Sequence, residues 1–405
     1  MGCIVFLLAA TLSAADIHSI AGSGTPEEMA TILEVTEDVD IRDPEGWTAL
    51  HYAARYNGIE TVKLLLDATA DVNAASPGGV TPLMLAVLNP AERKDAADLI
   101  QLFVDYGADI DAKDEQGWTP LLYAARYNPV EPSGISTLLR AGANAATRTG
   151  KGLLPLFYEA RFSPASAGNV QLFKSEYYEE DYAFEVIDPH GKAAIMYAAA
   201  NQSPRITALK FLLFSANMGF GAHTDEYGNT PLMVALANNG TPYAVKYLLE
   251  STPRIRSYRS DYHPHKPNDS GWTALMIAAR HNADPEIIQM LIDPPPKAGI
   301  TKASVNDALP GNGWTVLMLA SRYAEDPKTI GLLLDAGADI EMKSEKGLTA
   351  LMASTANPNP GICELLLETG ADPTIMDSYG WTALDYAQKY DAPEETRELL
   401  ASFLP

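Results

Sequence analysis

The chain has 405 residues but only two cysteines, Cys3 and Cys363, too few for a disulfide framework or a thiolate metal centre. Cys363 lies in ICELLLE, on the apolar side of an expected helix, where a thiol is buried and structural. Basic residues are also scarce. Lysine and arginine number 29 against 52 aspartates and glutamates, a net charge of −23 that disfavours nucleic acid and anionic membrane surfaces while keeping an exposed chain soluble. No GxSxG, HExxH, CxxC or P-loop occurs, and acidic runs such as Glu179-Glu180-Asp181 are what so acidic a chain makes by chance. The expectation is therefore no enzyme activity, no cofactor and no metal.

Long apolar runs are missing as well, except at the start. Ile4 to Leu12 is apolar and is followed by Ser13-Ala14-Ala15, so residues 1–15 read as a signal peptide cleaved after Ala15. The n-region Met1-Gly2-Cys3 carries no lysine or arginine, which fits a poor or truncated signal. Cys3 precedes the apolar run and cannot be a lipoprotein cysteine, and Phe6 stands where a myristoylation signal needs Ser or Thr. Export to the periplasm or beyond is expected, with a cytoplasmic start as the alternative. No later segment is long enough to span a bilayer.

What the chain does have is self-similarity. GWTALHYAARYN at Gly46 returns as GWTPLLYAARYN at Gly117, GWTALMIAARHN at Gly271, GWTVLMLASRYA at Gly313 and GWTALDYAQKYD at Gly380. Weaker copies open at Gly79, Gly152, Gly191, Gly228 and Gly347, spaced at 33 to 43 residues throughout. Within one unit, Asp43-Pro44-Glu45-Gly46 is turn chemistry, and Thr48 caps a helix with Leu50, Ala53 and Ala54 on one face. Asn57-Gly58 ends it, and a second helix carries Val62, Leu65 and Leu66. Neither helix is long enough to stand alone, so each must bury its stripe against the next pair.

The signature TALHYA, with TPLM at Thr81 and Thr230, TPLL at Thr119 and the turns GADIDAKD at Gly107 and GADIEMKS at Gly337, resembles the ankyrin repeat. That resemblance covers about nine tenths of the chain and implies an all-α solenoid of about ten repeats plus an N-terminal capping repeat, with projecting β-turn fingers. With the export reading it implies a bacterial-type, exported member. The expected division is residues 1–15 as signal peptide, 16–45 as N-terminal cap, 46–379 as ankyrin repeats and 380–405 as C-terminal cap. Thr25-Pro26-Glu27-Glu28 is a capping box with proline at the first helical position. His51 holds the family's usual histidine place, which implies hydrogen bonds to neighbouring turns.

The units vary in step with one another. Trp47, Trp118, Trp272, Trp314 and Trp381 are each followed eight positions later by a base: Arg55, Arg126, Arg280, Arg322 and Lys389. Units without tryptophan carry Leu88, Arg161, Ala200, Ala237 or Ala356 there. Such covariation predicts contact, a cation over an indole face. The next residue is Tyr56, Tyr127, His281, Tyr323 or Tyr390. These rungs could stiffen the array or form a partner surface, and the two roles are compatible, because Trp, Tyr and Arg dominate binding hot spots and the family places these positions on its concave face.

The expected partner is therefore a protein or peptide, not nucleic acid, held by a monomer with no integral membrane segment. The alternative site is the divergent middle: residues 176–188, and 251–270 with Arg254, Arg256, Arg259, His263 and His265. Two histidines separated by Pro264 are weak evidence for a metal. A passive stabiliser of an envelope enzyme and a glycan binder are the other classes left open.

Overall fold

Several repeats start the first helix at the same chemistry, while the unit from Gly191 has Ala193 in the threonine place. Thr273, Thr315 and Thr349 take extended backbone geometry, and their hydroxyls accept from the amides of Met276, Met318 and Met352 at 3.2–3.3 Å. One orphan donor of each helix is thereby satisfied. At the N-terminal end the Thr25 box closes in both directions, with Glu28 N–H donating to Thr25 Oγ1 and Thr25 N–H to Glu28 Oε2.

The computed structural model describes residues 14–89, 96–127, 132–162, 187–201, 206, 208–210, 212, 224–238, 240–251, 263, 265–281, 284–298 and 303–403. It divides into two units, 1–189 and 190–405. The first holds α1 (Ala14–Ser23), α2 (Pro26–Leu33), α3 (Ala49–Tyr56), α4 (Ile59–Asp67), α5 (Pro82–Ala86), α6 (Ala96–Asp105), α7 (Pro120–Tyr127), α8 (Pro132–Arg140) and α9 (Pro155–Phe162). The second holds α10 (Ala194–Ala199), α11 (Pro231–Ala237), α12 (Pro242–Glu250), α13 (Ala274–Arg280), α14 (Pro285–Ile292), α15 (Val316–Tyr323), α16 (Lys328–Asp335), α17 (Ala350–Ser354), α18 (Pro360–Glu368), α19 (Ala383–Lys389) and α20 (Glu394–Ser402). Most of the signal-peptide segment and most of both alternative loop segments, including Arg254, Arg256 and Arg259, lie outside the described residues.

In the first unit α1, α3, α5, α7 and α9 pack in succession as one layer, and α2, α4, α6 and α8 as a second. The second unit repeats this with α10, α11, α13, α15, α17 and α19 against α12, α14, α16, α18 and α20. Leu50, Ala53, Ala54, Val62, Leu65 and Leu66 are all buried, so the two stripes read from the sequence form the core. Small alanines let the first layer approach closely. No helix among the described residues is long and apolar enough to cross a membrane.

The fingers are turns stitched to one another by backbone bonds. Glu115 N–H donates to Gly78 C=O, Gly150 to Gln116, Asp269 to Tyr227, Glu345 to Asn312 and Ser378 to Lys346, all at 2.9–3.1 Å. His51 ties finger to helix. Its Nε2 lies 3.0 Å from the Val80 carbonyl, which can only accept, so Nε2 carries the proton and Nδ1 accepts from Thr48 N–H. Burial pushes His51 below its usual pKa and keeps it neutral, as this single-tautomer role requires.

Candidate interaction surface

The tryptophans sit where finger meets first helix, half-buried, and their neighbours differ from the simple cation-on-indole pairing that covariation suggests. A cation lies over the indole in two units: Arg280 over Trp272 at 5.4 Å and Lys389 over Trp381 at 3.9 Å. In the other three the guanidinium lies over the tyrosine that follows it. Arg55 is 5.1 Å from the Tyr56 ring, Arg126 5.0 Å from Tyr127 and Arg322 5.5 Å from Tyr323.

In three units another tyrosine also packs on the indole. Tyr52 lies 5.2 Å from Trp47 and Tyr123 5.5 Å from Trp118; Tyr386 likewise lies 5.3 Å from Trp381. Each of these tyrosines is fixed by the turn aspartate nine residues earlier. Asp43, Asp114 and Asp377 accept the hydroxyls of Tyr52, Tyr123 and Tyr386 at 2.6–2.8 Å on Oδ2, and the amides of Trp47, Trp118 and Trp381 at 2.8–2.9 Å on Oδ1. Trp314 makes no ring or cation contact among the described residues, its unit having Leu319 in the tyrosine place.

The electrostatics of these latches follow from burial and the shared proton. The bond to Asp43, then burial, pushes Tyr52 up to about 12; burial and then the aspartate push Tyr123 and Tyr386 upward. Burial resists charge on Asp43, but the Tyr52 hydroxyl and Trp47 amide outweigh it and hold the carboxyl below its usual value. The triad was present in the sequence as D-x-x-G-W-T-x-L-x-Y at Asp43, Asp114 and Asp377.

Other contacts cross from one repeat to the next. Arg55 Nη1 donates to the Leu88 carbonyl at 2.6 Å, while Asn89 Nδ2 returns to the Ala54 and Asn57 carbonyls at 2.9 and 2.7 Å. Asn357 makes the same bonds to Ser321 and Ala324. Asn89 and Asn357, which replace tyrosine in units without tryptophan, are thus clamps on the preceding helix end, whereas Asn238 Nδ2 donates to the Val234 carbonyl of its own helix at 2.8 Å. Arg126 lies 3.9 Å from the Phe162 ring, and Trp118 5.1 Å from Tyr158. Arg280 lies 5.5 Å from Tyr323 of the following unit.

Outside these clamps the surface is open. Tyr56, Tyr127 and Tyr323 are 51, 56 and 37% exposed, and Arg280, His281 and Arg322 are exposed too. Partial burial and then the Arg280 charge push His281 below its usual pKa. Among the described residues Arg55, Arg126, Arg280 and Arg322 pair with no carboxylate, although the chain holds 52 acidic residues; the ion pairs described are His190–Glu226 and Arg397–Asp391. His263 and His265, from the alternative loop, have ring centroids 5.6 Å apart, and the His265 amide donates to His263 Nδ1. Burial pushes the Cys363 thiol up to about 11, which leaves it a core group.

Ankyrin-repeat family models match residues 17–114, 162–259, 255–344 and 317–403. The chain belongs to the ankyrin-repeat family. Similar curated proteins include protein phosphatase 1 regulatory subunit 12A of Mus musculus and of Rattus norvegicus, each 31% identical over 70 residues. That stretch is 17% of this ankyrin-repeat chain and 7% of theirs, so the alignment covers a small part of those relatives. A protein-binding role is what ankyrin repeats suggest.

Proposed function

We propose that this ankyrin-repeat protein is a non-catalytic scaffold that holds a protein or peptide partner on its Trp/Arg/Tyr rungs. One observation carries the reading: guanidinium–tyrosine stacks with exposed tyrosines recur in three repeats, and among the described residues no carboxylate is set against them. Their planar groups are already ordered by rings and carbonyls, so little side-chain entropy is lost when a partner docks. The same contacts also staple neighbouring repeats, and the two roles reinforce each other.

The test is capture from native extract with wild type and a Tyr127→Ala, Tyr323→Ala variant, with circular dichroism and melting measured alongside. A partner retained by wild type and lost from the folded variant is the expected result. Equal capture by both would remove the surface from consideration and leave the tyrosines as staples.

We further propose export through residues 1–15, on the apolar run and the small residues before Asp16. Mature protein from its host is expected to begin at or near Asp16, read by N-terminal sequencing. Recovery of intact Met1 from the cytosol would overturn this.

A further inference from the structure

Two arginines from successive repeats share one ring in the second unit. Arg280, at the end of α13, and Arg322, at the end of α15, each lie 5.5 Å from the Tyr323 centroid. Both are exposed, and neither meets a carboxylate among the described residues. Two like charges held around one ring repel unless an anion stands between them, so the cluster is better matched to an occupied state than to an empty one.

The cluster also lies between two hollows. One, about 430 Å³, is lined by Trp272, Arg280 and His281 with Lys192, Asp225 and Asn238. The other, about 640 Å³, is lined by Arg322 and Tyr323 with Ala324, Glu325, Ala356, Pro358 and Pro360. Asp225 is engaged locally, accepting from the Tyr227 and Asn229 amides and from Asn229 Nδ2. Two apolar-edged depressions joined by a paired cation have the form of a seat for an extended chain with a central acid.

The first unit repeats the arrangement. Arg126 and Arg161 lie 3.9 and 5.7 Å from the Phe162 centroid. Burial, then the charge of Arg126, pushes Arg161 below its usual value, so the two guanidiniums there act on one another.

Resting on the scaffold reading, we propose that the Arg280–Tyr323–Arg322 cluster captures a glutamate or aspartate side chain of an extended partner segment whose flanking apolar residues enter the two hollows. Guanidinium forks grip carboxylates in two parallel hydrogen bonds, and a neighbouring ring face orients them. The chain's net charge of −23 opposes an acidic partner at long range. Screening over about 8 Å at physiological salt confines that opposition, so acidic segments are accepted at the paired cations and turned away elsewhere.

The test uses the full chain and bead-displayed capped decapeptides, randomised around a fixed central residue that is glutamate, glutamine, phosphoserine or lysine. Retention of the glutamate pool at about tenfold or more over glutamine is expected, the ratio set by one charge-assisted pair. Arg280→Ala with Arg322→Ala is expected to abolish that ratio, and Arg322→Glu to move selection toward the lysine pool, with melting measured for each. Equal retention of glutamate and glutamine pools, or a preference that survives in the folded double variant, overturns the proposal; so does a phosphoserine pool held above glutamate, which assigns the cluster to phosphate. If no pool is retained while wild type still captures its native partner through Tyr127 and Tyr323, the acidic segment is wrong and the scaffold reading stands.

Discussion

Gly313→Ala is expected to lower the melting temperature several times further than Gly337→Ala, although both glycines have positive φ, +70° and +90°. Each substitution forces an L-residue into the left-handed region at about 1 kcal/mol. At Gly337 nothing lies within 4 Å of the added Cβ, so the cost ends there. At Gly313 the Cβ would stand 2.7 Å from the backbone nitrogen of Glu345 and 3.1 Å from the Ser344 backbone. Those atoms cannot give way, because the Glu345 amide is bonded to the Asn312 carbonyl in the finger-to-finger ladder. Separating the fingers brings the expected cost to about 3 kcal/mol or more. Urea or thermal unfolding of both variants checks this, and equal effects would mean that the fingers are not rigidly coupled.

Asp377→Ala is expected to destabilise the last repeat by about 2–4 kcal/mol, since it strips the acceptor from three donors at once. Tyr379 and Trp381 amides donate to Oδ1 at 2.9 Å and the Tyr386 hydroxyl to Oδ2 at 2.7 Å. Asp377→Asn keeps one acceptor at Oδ1 and should lose less. Burial resists the charge, but the Trp381 amide and Tyr386 hydroxyl prevail and hold the Asp377 carboxyl below its usual value. A depressed folded pKa means that the contribution is complete above the unfolded value of about 3.9 and is lost as pH falls through the folded one. The gap between wild type and Asp377→Ala in urea midpoint should therefore be wide at pH 7 and narrow in strong acid. A gap independent of pH would show that the charge has no part in the latch.

The Asp377 latch and the Arg280 cluster differ in how far a sequence can reveal them. The latch is local: Asp377, Trp381 and Tyr386 lie within one turn and one helix, at a spacing that recurs at Asp43 and Asp114. It was legible at that spacing, whereas the covariation of tryptophan with the base eight residues on corresponds to a ring contact in two of the five units. Covariation reports that two positions change together; it does not say which atoms touch. Arg55 goes to the Leu88 carbonyl and Arg126 to Phe162, partners that enter only when repeats stack.

By itself the sequence determined the repeat, its turns, its threonine starts and its buried stripes, because each depends on chemistry within about 35 residues that recurs along the chain. It also set the charge and placed the aromatic and basic residues in matching registers. Only the tertiary structure decided which ring each cation covers, why Gly313 and not Gly337 admits no side chain, and that Arg280 and Arg322 share Tyr323 between two hollows. Those outcomes depend on distances of a few ångströms between repeats, set by the packing of one helix pair on the next, and packing is a property of neighbours that no single repeat encodes.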